Sequence, residues 1–153
     1  MAEIALAVGA EVVPVTAVEH DDAVAAISHV PHLLAAALAA AAADAGPLAL
    51  ALAAGSFRDG TRVIGSDPAL VTAMVEANAV PVARALARIE AHLDQPWPDL
   101  IAAGHAVATR QPSAVRAVRV PLERAALLSV GRAGGAVTRR LAAFVEGWVP
   151  ETE

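Results

Sequence analysis

A chain of 153 residues, 57% of them hydrophobic and 18% charged, can bury one compact core and is too apolar for a long disordered segment. Sixteen acids against eleven bases give a net charge of -5, which argues against affinity for nucleic acid phosphates. With no Cys, disulfides, thiolate metal sites and cysteine nucleophiles are excluded. Alanine supplies 41 residues, and so many small, strong helix formers predict a mainly α fold. Met1-Ala2-Glu3-Ile4 lacks the basic stretch of a signal peptide, and the longest uninterrupted apolar run, Leu33 to Ala43, is too short to cross a bilayer. A cytoplasmic chain without a membrane or nucleic acid partner is therefore expected.

Residues 2 to 9 read as a short helix, and Glu11-Val12-Val13-Pro14-Val15-Thr16 has the β-branched content of a strand. Nothing nearby in sequence offers that strand a partner, so residues 1–19 read as the trailing edge of a larger sheet domain. Asp21 or Asp22 can cap a helix that runs to about Ala43, where Gly46-Pro47 ends it. Pro31 falls inside this helix and predicts a bend across Ser28 to His32, because it removes a backbone donor and crowds the carbonyl of Ile27. A short helix over 47–54 leads to a glycine-loosened segment, Gly55 to Arg62. Ser66-Asp67-Pro68 then opens a helix through Leu70, Val71, Met74 and Val75, and Pro81 breaks or kinks it. A second apolar stripe, Val82, Leu86, Ile89 and Leu93, runs until Pro96 and Pro98. Residues 20–98 thus form a helical domain, and 99–153 a basic extension. In that extension we expect a helix near 99–108, a strand near Val115 to Val120, a helix from Leu122 to Val130 and a last helix after Gly134-Gly135.

Two clusters could carry chemistry. In Ser28-His29-Val30-Pro31-His32, Ser28 and His32 are four apart on one helical face, where a hydroxyl and an imidazole can bond a small anionic or carbonyl ligand. The bland alternative is a Ser and a His satisfied by backbone carbonyls freed at the kink. His29 and His32 lack a third ligand at metal-site spacing, so no metal is expected, and His92 and His105 stand alone. In Gly55-Ser56-Phe57-Arg58-Asp59-Gly60-Thr61-Arg62, Asp59 and Arg62 are three apart. They form either a local ion pair or a carboxylate that holds a guanidinium ready for an incoming anion.

These segments resemble the prephenate dehydrogenases. Ser28-His29-Val30-Pro31-His32 is similar to that family's S-H-L-P-H motif, and Gly55 to Arg62 followed by Ser66-Asp67-Pro68 is similar to its G-G-F-R-D-x-T-R…S-D-P segment. The resemblance covers about residues 10–95. It implies the C-terminal helical dimerisation and substrate-binding half of an enzyme that oxidatively decarboxylates prephenate or arogenate in tyrosine biosynthesis with NAD or NADP, a domain of the 6-phosphogluconate dehydrogenase C-terminal-like kind. By the same resemblance Arg62 would bind a substrate carboxylate, Ser28 and His32 would line that pocket, Asp59 would orient Arg62, and His29 would belong to the site without an assigned role. A homodimer whose partner chain completes the pocket is also implied. Val71 stands where many relatives carry a Trp, and Ser56 replaces a second Gly.

No G-x-G-x-x-G loop joins a strand to a helix; Gly131-Arg132-Ala133-Gly134-Gly135 has neither the spacing nor the βαβ setting. The chain alone is therefore expected to bind no cofactor, to contain no catalytic residue of the hydride transfer and to be inactive without a nucleotide-binding domain. The alternatives are a non-catalytic helical ligand-binding module, the helical half of another 2-hydroxy-acid dehydrogenase and, lower, a helical chorismate mutase, against which Arg84 and Arg88 count by falling on the outward side of their stripe.

Overall fold

A computed structural model describes residues 2–151, which divide into two compact units, Val18–Ala103 and a second that joins residues 2–17 to 104–151. The fold is mainly α, as the composition requires, with a small sheet near the C-terminal end.

In chain order the helices are α1 (Ala2–Ala7), α2 (Ala17–Val24), a π-turn (Ala25–His29), α3 (Val30–Asp44), α4 (Pro47–Ala51), α5 (Gly55–Thr61), a 3-10 turn (Arg62–Gly65), α6 (Pro68–Ala77), α7 (Ala79–Leu93) and α8 (Trp97–Ala108). The bend expected around Ser28 to His32 takes a specific form. The Val30 N–H donates to the Ala25 carbonyl five residues back, and Pro31, which has no N–H to donate, follows directly in the first turn of α3. Helix therefore continues from Ala17 to Asp44, 28 residues, and by length and apolar composition alone this run could cross a membrane. That corrects the expectation built on Leu33 to Ala43, because the helix is continuous through Ser28 to His32 and its apolar stretch extends beyond the unbroken apolar run.

The glycine-flanked segment is also more regular than expected: Gly55 to Thr61 is helix, and the Thr61 hydroxyl caps the turn by donating to the Phe57 carbonyl at 2.8 Å. Gly60 earns its place by proximity, since a Cβ there would lie 3.1 Å from Cδ2 of Leu38 on α3. Asp67 accepts from the Ala69 N–H at 2.8 Å and starts α6, with Pro68 at its first position. Helices α6 and α7 meet at Asn78 at an angle of 93°. Ala25, Val30, Val82 and Ala85 form the core that joins the π-turn to α7, with Leu33, Val75, Leu86 and Ile89 packed around it. The small residues at its centre let the backbones approach closely.

The other unit is built on β1 (Val115–Pro121), α9 (Arg124–Arg132), β2 (Ala136–Arg140) and β3 (Phe144–Pro150). The sheet order is β1-β3-β2 with both pairings antiparallel, so α9 crosses over β3 in a split β-α-β arrangement. Val130 of α9 is buried with Val137, Val145 and Val149. The last helix expected after Gly134-Gly135 is instead the β2–β3 hairpin. Val145, Gly147 and Val149 alternate with Phe144, Glu146 and Trp148, a period of two that outweighs the helix-favouring Arg and Ala around it. The segment around Val12, expected to lack a local partner, forms a bridge with Val137: Val12 N–H to Val137 O is 2.9 Å and Val137 N–H to Val12 O is 2.8 Å. That pairing joins residues more than a hundred positions apart, beyond the reach of any local pattern.

Candidate functional site

Ser28, His29 and His32 occupy the π-turn and the first turn of α3. Ser28 and His32 are half-buried, and His29 is only 8% exposed. The His32 ring is fixed by its own turn, with Nδ1 2.8 Å from the Ser28 carbonyl oxygen. A carbonyl can only accept, so Nδ1 carries the proton, and in the neutral ring Nε2 is left as an acceptor. The carbonyl-satisfied histidine anticipated at the kink is thus present at His32, and satisfying one nitrogen leaves the other available to a ligand.

His29 is held differently. Asn78 Nδ2 lies 2.8 Å from the Asp21 carbonyl oxygen and 3.2 Å from His29 Nδ1, tying α2, the π-turn and the α6–α7 junction together. Asn78 is itself 8% exposed and was not singled out from the sequence. Its only local signal is an Asn between Ala77 and Ala79, three residues before Pro81, which marks a helix junction and says nothing of a partner 49 residues earlier.

Asp59 lies on α5 and Arg62 opens the 3-10 turn; both side chains are exposed, and both elements pack on α3. Among the described residues no ion pair or hydrogen bond joins Asp59 to Arg62, and none neutralises Arg62. Leu38, which Gly60 touches, is six residues from His32, or about 9 Å along the axis of α3. One helix therefore supports both clusters, and no direct bond links Arg62 to Ser28 or His32. Arg84, expected to face outward, does so and pairs with Asp22 at 2.6 Å. A cavity of about 540 Å³ lies in the other unit among Leu6, Val12, Val15, Leu127, Val137 and Arg140, where Arg140 pairs with Glu3; no residue of either cluster lines it.

The glycines near the C-terminal end do not suit a dinucleotide. Gly131 ends α9 instead of opening a helix, and a Cβ on it would sit 1.9 Å from the Pro14 carbonyl oxygen. Gly134, with φ +77°, supplies the left-handed residue after the helix, and Gly135 lies against the Trp148 carbonyl. These glycines serve packing and helix termination, not a phosphate cradle.

The family model for "Prephenate dehydrogenase, dimerization domain" matches residues 16–102, more than half of the chain. The chain belongs to the prephenate dehydrogenase family. Two solved structures are similar to it. One, described as a "putative prephenate dehydrogenase" from Corynebacterium glutamicum, is 46% identical with a TM-score of 0.57, over 73% of this chain and 32% of that one. The other, an arogenate dehydrogenase from Synechocystis, is 36% identical with a TM-score of 0.53, over 61% of this chain and 38% of that one. The chain thus spans about a third of the length of these relatives. A search of curated protein sequences returned no match. The match to the prephenate dehydrogenase dimerisation domain covers Ser28, His29, His32, Asp59 and Arg62, and Asn78 as well.

Proposed function

We propose that residues 18–103 are the substrate-binding and dimerisation part of an enzyme that oxidatively decarboxylates prephenate or arogenate on the route to tyrosine. Arg62 carries this reading: it is an exposed guanidinium with no neutralising partner among the described residues, on a turn braced against the helix that bears Ser28 and His32. In this role Arg62 engages a substrate carboxylate in a two-pronged bond, Asp59 shapes the turn and limits where a second anion can settle, and the Ser28 hydroxyl and His32 Nε2 bond the remaining oxygens. His29 contributes from the same turn. Together these groups bind and orient the acid. Hydride acceptance is the work of NAD or NADP on a nucleotide-binding domain, and without such a domain the chain does not turn substrate over.

The reading is tested in an enzyme reconstituted with a nucleotide-binding domain. Arg62→Ala raises the substrate KM far more than the cofactor KM, and lowers kcat/KM by a factor corresponding to roughly 2–4 kcal/mol. Equal effects on both KM values overturn it.

The apolar surface supports a homodimer. Ile27, Leu70 and Val80 are 76%, 66% and 69% exposed on a unit whose own core is mostly Ala and Val. Sedimentation at micromolar concentration is expected to give a dimer, and a clean monomer counts against it. Such a dimer, together with the bond from His29 of the long helical run to Asn78 at the α6–α7 junction, supports a cytoplasmic protein over a membrane-spanning one.

A further inference from the structure

Asn78 reaches two partners with one nitrogen, and their chemistry fixes the arrangement. The Asp21 backbone oxygen, 2.8 Å away, can only accept, so the amide group turned towards it is the NH2 and not the carbonyl. The second hydrogen of the same Nδ2 then points to His29 Nδ1, 3.2 Å away, and that nitrogen must be bare to receive it. The imidazole proton is consequently on Nε2. No partner for Nε2 is found among the described residues, and no side-chain nitrogen or oxygen there is both sealed from solvent and unpaired. A residue that is only 8% exposed therefore presents one N–H donor at the surface of its turn.

We infer that Asn78 is a positioning residue: it locks His29 in the Nε2–H form so that this donor meets an acceptor oxygen of the bound acid. The inference deepens the reading of the site given above and rests on it for the ligand, but not for the tautomer. It also explains why two histidines three residues apart are held by different partners. His32 bonds through Nδ1–H and offers an acceptor, whereas His29 accepts at Nδ1 and offers a donor. A prephenate-like acid carries both a hydroxyl to donate and carbonyl or carboxylate oxygens to accept, so the two rings form a complementary pair.

The test is two-bond 1H–15N NMR of the histidine rings in the full chain, with and without prephenate. In the unsubstituted protein His29 Nδ1 should resonate in the unprotonated range and Nε2 in the protonated range, and prephenate should move the Nε2 signal. Asn78→Asp keeps the shape of the side chain but cannot donate to Nδ1. It should place a proton on Nδ1 and weaken prephenate binding about tenfold, the scale of one hydrogen bond, with the far-UV circular dichroism unchanged. If Asn78→Asp does not fold, the unsubstituted spectrum still decides. A protonated His29 Nδ1 in the unsubstituted protein overturns the inference by itself. So do prephenate shifts confined to His32 and the Arg62 turn. No prephenate-dependent shift anywhere overturns the reading of the site, and with it the ligand half of the inference, while the tautomer remains fixed by the unliganded spectrum.

Discussion

In the helical unit the buried side chains are Ala25, Val30, Ala35, Val71, Val82 and Ala85, joined by the polar pair His29 and Asn78, whereas the sheet unit buries Val130, Ala136, Val137, Val145 and Val149. The first core has few methylene groups and a hydrogen-bonded centre, whereas the second is backed by the antiparallel ladders of its sheet. Small cores stabilise weakly, so specific polar bonds carry more of the stability in the helical unit, while backbone pairing carries more of it in the sheet unit. Specific bonds also fix side-chain orientation, which suits the unit that holds the candidate site.

The largest expected effect breaks the sheet side of this contrast. Gly147 is in the central strand, where a Cβ would lie 2.1 Å from the Ala136 carbonyl oxygen, so Gly147→Val must push β2 away from β3. A cost of roughly 3 kcal/mol or more is expected. Hydrogen exchange should then show amide protection lost across 115–150 and kept across 18–103. Simultaneous loss in both segments would mean that the two units unfold together and that the contrast has no energetic meaning.

A smaller effect probes the helical side. Val30 is fully buried, and Val30→Ala removes two methyl groups from a core centred on four small residues. The expected loss is about 2 kcal/mol, read as a lowered urea midpoint with an unchanged slope. If the exposed Ile27, Leu70 and Val80 are covered by a second copy, the midpoint also rises with protein concentration, and a concentration-independent midpoint would show that the small core suffices alone.

The same contrast governs what the sequence made legible. Local signals were readable: the Asp67-Pro68 helix start, the disturbance at Pro31 and the β1 strand follow from chemistry within a few residues. The two motif clusters were readable by resemblance, because their residues are contiguous. Partners distant in sequence were not. The Val12–Val137 bridge, the Asn78–His29 bond and the packing of Gly60 on Leu38 join residues whose local contexts carry no trace of one another. The β2–β3 hairpin was missed for a different reason, since Arg and Ala favour helix and the period-two alternation of Val145, Gly147 and Val149 is short.

The smallest expected effect separates local order from the core. Asp67 Oδ1 accepts the Ala69 N–H, one of the donors that the first turn of α6 leaves unpaired, and its carboxylate lies at the positive end of that helix. Asp67→Ala removes both contributions without touching a buried side chain, so about 1 kcal/mol is expected. Asp67→Asn keeps the acceptor and gives up only the charge, and should lose less than half as much. Because α6 ends at Asn78, fraying at its start leaves the far end pinned by the bonds to Asp21 and His29. Amide exchange should therefore quicken over the first turn of α6 and stay slow near residue 78. Uniform acceleration along the helix would show that the cap, and not the Asn78 bonds, holds this corner of the unit together.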